Sequence, residues 1–531
     1  MNVYKKILSS VMLLTFFALG ASAQNISKIE PKVVERWWGS FVALGSQMPF
    51  IANTPQYDLA TQNFNNQTAP LMISSKGRYI WAEKPFKFQF VNDTIVIESE
   101  YEKVQVTEAG KTLRDAYLAA SKSHFPASGQ IPEKLFFSKP QYNTWIELMY
   151  NQNEADILNY ADNILKSGLP AGILMIDDNW QKYYGNFDFK SERFKDPKGM
   201  IDTLHAKGFK VMLWVCPFVS ADSPEYRYLA QKGYLIRDAK TNIPAMINWW
   251  NGFSACYDLT NPEAVAHFKS ALNETMAKYG VDGFKFDAGD VAYMGGDHLY
   301  YDKDATTVDF SEAWAKLALD YPYNELRASW KMGGQPLVQR LGDKDYSWGA
   351  AELLIPDMIA AGLLGHAFTC PDMIGGGQYG SFLNVDPDSF NQELIVRSTQ
   401  LHSLMPMMQF SVAPWRILHK NYLKISVDYA HLHDKFGDYI LEVAQESAKT
   451  GEPIVRHLEY EFPNQGYDLV KDQFMLGSDY MVAPMIESGY RRVVKLPKGT
   501  WVDDLGKKHR GPKVLKIAVP ITRLPYYKKV K

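Results

Sequence analysis

The stretch NPEAVAHFKSALNETMAKYGVDGFKFDAGD, residues 261–290, decides the fold. Asn261 suits a helix N-cap, and Pro262 suits the first helical position, where its missing N–H costs nothing. Val265, Phe268, Leu272 and Met276 recur at helical spacing on one face. Gly280 ends the helix, and residues 281–286 follow at once as a strand. A helix that hands directly to an apolar strand is the unit of a parallel sheet.

Working outward, the same grammar recurs. Asp196-Pro197 opens a helix, Gly208 closes it, and 210–215 reads as a strand. Upstream, Ile157, Leu158, Ala161 and Leu165 lead to Gly168 and a strand at 173–176. Further candidate strands at 142–148, 326–330, 337–341, 366–369 and 405–410 bring the count to eight over about 270 residues. Eight such units predict an α/β fold of the (β/α)₈ TIM-barrel type over residues 134–460. No GxGxxG opens any helix, which weighs against a dinucleotide fold. Residues 24–133 carry short alternating or β-branched runs, such as 86–90 and 94–97, and predict an N-terminal β-sandwich. Strand-like pieces return at 480–485, 491–495 and 514–519, predicting a small C-terminal β-domain over 461–531.

Composition narrows the classes. The chain has 531 residues, room for about three or four domains or one barrel with satellites. With 57 Lys and Arg against 59 Asp and Glu, the net charge is −2, which argues against a nucleic-acid partner. An apolar share of 46% and a charged share of 22% are those of a globular protein. The 13 Trp, 31 Tyr and 28 Phe fit a packed core as well as sugar-binding surfaces. Cys216, Cys256 and Cys370 offer no disulfide framework and read as buried thiols. Lys5 and Lys6, an apolar run at 7–19 and Ala21-Ser22-Ala23 form the pattern of a signal peptide over residues 1–23. The run is too short for a bilayer span, so the mature chain is expected to be exported, periplasmic or extracellular, without a membrane span.

Barrel enzymes place their chemistry at the C-terminal ends of strands. Three expected strand ends carry acids: Asp177-Asp178, then Asp287 with Asp290, then Asp343 with Asp345. Two carboxylates in different environments are what glycoside hydrolysis needs. No HExxH or GxSxG is present, and His431 and His433 stand two apart on an expected helix, so neither metal nor serine chemistry is indicated. No cofactor is expected.

At GVDGFKFDAGD (280–290) the sequence resembles the nucleophile region of glycoside hydrolase family 31, the retaining α-glycosidases. The resemblance continues through WVCPFV (214–219), RLGDKDYSWG (340–349), CPDMIGG (370–376), LMPMMQFSVAPW (404–415) and DQFMLGSDYMVAPMI (472–486) with LPKGTWVD (496–503). It implies Asp287 as nucleophile and Asp343 as general acid/base, with Asp345 a rival for the second role. It implies Asp177, Lys285 and Arg327 as substrate-binding residues, although Arg327 also reads as the partner of a nearby acid. Pro371 replaces the histidine that the family usually carries before its DIGG motif. A second histidine is replaced within PMMQFS.

Both departures resemble the branch that contains the myogenesis-regulating glycosidase and bacterial α-galactosidases. NWWNG (248–252) fits that branch, with Trp250 or Trp249 near the terminal sugar unless the two are a buried pair. Asp177 with Asp178 resembles the Asp-Asp-x-Trp run of galactosidases in families 27 and 36. Two adjacent carboxylates can grip galactose's axial 4-hydroxyl and its 6-hydroxyl together. The resulting expectation is a retaining exo-α-glycosidase acting on a small oligosaccharide or glycoside, an α-galactosidase before an α-glucosidase or α-xylosidase. A silent sugar-binding protein is the reading from another class. Seven tryptophans near expected strand ends, Trp180, Trp214, Trp249, Trp250, Trp330, Trp348 and Trp415, predict a pocket walled by indoles.

Overall fold

The computed structural model describes residues 25–51 and 53–530; the expected signal peptide, 1–23, lies outside the described residues. Eight parallel strands form the centre: β1 (Gln141–Asn143), β2 (Ile173–Ile176), β3 (Lys210–Val215), β4 (Gly283–Phe286), β5 (Tyr323–Leu326), β6 (Gln339–Arg340), β7 (Thr369–Cys370) and β8 (Gln409–Phe410). Each pairs with the next from β1 to β7, and β8 pairs back onto β1 through Gln409 and Gln141. Only the seam between β7 and β8 carries no strand pairing among the described residues, so the barrel is nearly closed.

Among the described residues, the helices around it include α1 (Glu154–Lys166), α2 (Pro197–Ala206), α3 (Pro262–Tyr279), α4 (Thr307–Ala318), α5 (Trp348–Leu363), α6 (Gln392–Ser403) and α7 (Lys420–Thr450). The eighth expected unit lacks its helix, because β5 runs to β6 through a loop in which Lys331 and Met332 hold positive φ. The caps of α3 are those expected. Asn261 accepts from the Glu263 N–H at 2.9 Å, and Gly280 stands in the left-handed region at φ 81°. Its buried face is Ala264, Phe268, Leu272, Thr275 and Tyr279, rotated by about one residue from the expected stripe.

Strands β2 and β3 fall on the expected residues, but β1 and β5 to β8 are shorter or shifted. Asn143 Oδ1 accepts from the Trp145 N–H at 2.7 Å, which turns the chain into a short helix (Trp145–Leu148) where a strand to 148 was expected. Of the expected strand 326–330, residues 327–330 are a loop instead, and Trp330 is 1% exposed and bridges Thr68 of the N-terminal region. The true strand β5 carries Asn324 and Glu325 buried, so its sequence lacks the apolar run of a central strand. Polar side chains fill part of the barrel interior: Gln409 Nε2 donates to Gln141 Oε1 at 3.1 Å and to Glu325 Oε2 at 2.7 Å.

Two four-stranded antiparallel sheets precede the barrel and share one continuous apolar cluster with it. A six-stranded sheet, antiparallel throughout, follows it, dominated by the hairpin Arg491–Asp503 with Lys508–Ala518. No helix among the described residues is long and apolar enough to cross a membrane. The three cysteines are free and buried. Gly283 packs so closely on β5 that an added Cβ would stand 1.9 Å from the Tyr323 carbonyl oxygen. Gly283→Ala is therefore expected to destabilise the fold by about 3 kcal/mol, overpacking against backbone that cannot yield, as read from the denaturant midpoint.

Candidate active site

Asp287 follows directly on β4. Its Oδ1 accepts from Arg327 Nε at 3.0 Å and from the Ala288 N–H at 2.9 Å, while Oδ2 accepts from Trp214 Nε1 at 3.0 Å. Burial alone would raise its proton affinity; the charges of Arg327, Lys285 and Arg340 outweigh that, and the carboxyl lies well below the usual carboxylate range. Arg327, at the end of β5, also grips Asp290 with Nη1 at 3.1 Å and Nη2 at 2.6 Å. Arg327 is ion-paired, and it lines the same cavity as Asp287.

The end of β2 supplies a second pair of acids. Asp177 Oδ2 accepts from Lys285 Nζ at 2.7 Å, with both side chains 4% exposed. Burial disfavours the lysine's charge, but Asp177 outweighs it and holds Lys285 above its ordinary range. Asp178 behaves differently. Its Oδ2 accepts from Tyr184 Oη at 3.1 Å and Asn251 Nδ2 at 3.0 Å, and its buried Oδ1 has no partner. Burial, then the neighbouring charge of Asp177, pushes its carboxyl up to about 7.

Asp343 stands beyond β6 with its side chain about a third exposed (32%). Arg340 Nη1 donates to it at 2.8 Å. Gly377 lies against it, where a Cβ would come within 2.6 Å of Asp343 Cγ. A raised proton affinity is expected of a general acid, and Asp343 does not have one here. Burial raises it, but Arg340 reverses the effect and holds it below the ordinary value.

A single cavity of about 460 Å³ gathers these groups. Asp287, Asp343, Asp177, Asp178, Trp250, Lys285 and Arg327 all line it. Residues 137–442 match the glycosyl hydrolases family 31 TIM-barrel domain, and 451–530 match the family's C-terminal domain. The chain belongs to glycosyl hydrolase family 31.

The mouse myogenesis-regulating glycosidase is 30% identical over 413 residues, covering 76% of this chain and 57% of the relative. The α-xylosidase XylQ of Lactiplantibacillus pentosus is 24% identical, covering 84% of this chain and 60% of the relative. This chain thus spans about three fifths of each relative's length. A family 31 dextranase of Flavobacterium johnsoniae, solved with glucose, superposes with a TM-score of 0.83 at 21% identity, over 95% of this chain and 66% of that one. That likeness speaks to the fold.

Within this family 31 site several residues lacked a readable signal. Asn65 reaches the cavity from the N-terminal region, and its carbonyl oxygen accepts from Arg327 Nη1 at 3.2 Å. Its neighbours hold the barrel too: Asn63 donates to Asp290 at 2.7 Å, Asn66 accepts from the Gly342 N–H at 2.8 Å, and Gln67 donates to Gln339 at 2.8 Å. Trp145, Tyr150, Tyr293 and Tyr379 also line the cavity.

The indole wall is smaller than expected. Of the seven tryptophans named from sequence, only Trp214 and Trp250 line the cavity. Trp180 and Trp330 are buried core, Trp415 packs on Tyr160, and Trp348 begins α5. Trp249 is buried and stacks on Phe218 at 4.4 Å, whereas Trp250 is 43% exposed with Arg327 5.5 Å from its ring. Asp343 lines the cavity, and Asp345 stands outside its lining.

Asp178 yields a test that needs no substrate. Folding raises its proton affinity from the ordinary value near 4 to about 7, so its ionised form opposes folding at alkaline pH. That opposition shrinks as pH falls from 7 and vanishes below about 4. Asp178→Asn is expected to stabilise the protein at pH 8.5 by on the order of a few kcal/mol, with a smaller gain at pH 5. Thermal midpoints at the two pH values check this, and a loss of stability at both would contradict it.

Proposed function

We propose that the chain is a retaining exo-α-glycosidase that removes terminal α-linked galactose. The observation that carries the reading is the cavity shared by Asp287, held charged by Arg327 and Lys285, and Asp343, a more exposed carboxyl under a different cation. Family membership supplies the reaction class. Asp287 attacks the anomeric carbon while Asp343 gives its proton to the leaving oxygen. The glycosyl ester then yields to water, from which Asp343 takes the proton.

The electrostatics support this alternation. The Asp287 charge raises the proton affinity of Asp343, and esterification removes that charge. Asp343 is thus a better acid holder before the first step and a better base after it. Filling the cavity with sugar excludes water and strengthens each of these interactions.

Support for galactose comes from the paired acids. Asp177 and Asp178 stand side by side in the cavity lining, so two carboxyls are placed to meet the 4- and 6-hydroxyls of galactose together. Near neutral pH Asp178 can accept or donate. Trp250, backed by Arg327 and Tyr293, would crowd an equatorial 4-hydroxyl and leave an axial one free. Export is part of the same proposal and rests on the pattern of residues 5–23.

Two experiments test the reading. A panel of 4-nitrophenyl α-glycosides is expected to give the highest kcat/KM for the galactoside. Cleavage of the glucoside or xyloside alone would replace galactose in the proposal, and no cleavage of any would leave the sugar-binding alternative. Asp287→Ala should lower kcat by at least about 10⁴-fold with an unchanged far-ultraviolet spectrum. Surviving turnover would remove Asp287 from the nucleophile's place.

A further inference from the structure

Arg340 is shared among several acids. It is 1% exposed and meets three carboxylates: Nη1 stands 2.8 Å from Asp343 Oδ1 and 3.0 Å from Asp372 Oδ1, and Nε stands 3.4 Å from Glu325 Oε1. Nη1 also donates to the Leu341 carbonyl at 2.9 Å. This nitrogen carries two hydrogens, yet three acceptors face it, so the acceptors compete. Asp372 cannot swing away, because it accepts from the N–H groups of Lys344 at 2.7 Å, Met373 at 2.7 Å and Gly377 at 3.1 Å. It is 1% exposed and does not line the cavity. Glu325 is pinned by Gln409 Nε2 at 2.7 Å.

We infer that Asp372, with Glu325 behind it, is a positioning residue that draws Arg340 away from Asp343 and so sets how readily Asp343 holds its proton. The inference rests on the reading of Asp343 as acid/base. While Asp372 is charged, the Arg340 field is divided between two acids. Neutralise Asp372, and Arg340 turns more fully to Asp343 and favours its ionised form.

Other charges face the group and remain in place. Lys285, Arg327 and Asp287 act on Asp343 from across the cavity. Lys344 acts on Asp372 and is itself paired with Asp357 at 3.2 Å. Lys285 and Asp177 act on Glu325. Cys370, buried beside Glu325, Arg340 and Asp372, is pushed up and stays a neutral thiol. His402 Nε2 lies 2.6 Å from the main-chain oxygen of Asp372, and burial lowers it to about 4, which keeps it neutral.

The sign of the effect follows. A general acid works only while protonated, so activity falls as pH rises through its titration. Asp372→Asn lowers the proton affinity of Asp343 and should move the alkaline limb of kcat/KM down by about one pH unit. Glu325→Gln should move it the same way by less, since its contact is longer and shares no hydrogen with Asp343. At fixed alkaline pH both variants should lose more activity on poor leaving groups than on 2,4-dinitrophenyl glycosides.

A merely structural role would lower the folded fraction or kcat at every pH and leave the limb where it is. Should Asp372→Asn fail to fold because three backbone N–H groups lose their acceptors, Glu325→Gln carries the test with those bonds intact. Folded variants whose limb is unmoved, or moves upward, overturn the inference and leave the glycosidase reading standing. A wild-type chain that cleaves no α-glycoside overturns both.

Discussion

Burying the Asp287 carboxylate at the mouth of the barrel carries a desolvation cost of several kcal/mol unless charge is held beside it. Arg327 meets it at 3.0 Å, Trp214 donates from β3, and Lys285 and Arg340 add their fields. Much of the surrounding structure follows from keeping those cations in place. Asp290 takes the other edge of the Arg327 guanidinium, Asp177 holds Lys285, and Glu325 with Asp372 holds Arg340. Three cations are interleaved with more acids than they can neutralise, and Asp178 and Asp372 respond by holding their protons more tightly than ordinary carboxyls.

The same constraint explains why the N-terminal sheets matter to the site. Arg327 is steadied from outside the barrel by the Asn65 carbonyl, and Gln67 Nε2 donates to the Arg327 carbonyl at 2.9 Å. Asn63 holds Asp290 in turn. The loop 59–67, far away in sequence, thus fixes the partners of the central carboxylate. The unpartnered Asp178 Oδ1 shows the opposite arrangement, a buried acceptor without a donor, which carries an energetic cost.

How much of this could be read beforehand depended on the physics of each element. The strands β2 and β3, apolar and bounded by glycine-capped helices, were legible because burial on both faces demands Val, Ile, Leu and Met. Strands β5, β6 and β8 were shifted or shortened because they carry buried Glu325, Gln339 and Gln409: Gln409 donates to Glu325, and Gln339 accepts from Gln67 of the N-terminal region. The acids at strand ends were legible as chemistry, since few structural needs place Asp177, Asp178 and Asp287 directly after apolar strands. Arg340 and Asp372 carried no such mark, being one residue of a short strand and one of a loop. Asn65 was out of reach because nothing in its local sequence says that a distant loop folds onto a barrel. The tryptophan count misled for a related reason: proximity to a strand end in sequence does not say which face an indole takes, and Trp180 and Trp330 turned to the core.

The central claim is that Asp287, kept ionised by its cations, bonds covalently to the sugar. Incubation with 5-fluoro-α-galactosyl fluoride, proteolysis and peptide mass spectrometry tests it most directly. The account predicts one 5-fluorohexosyl adduct, on the peptide that contains Asp287. An adduct on Asp343 or another carboxylate, or turnover with inverted anomeric configuration and no adduct, would contradict it.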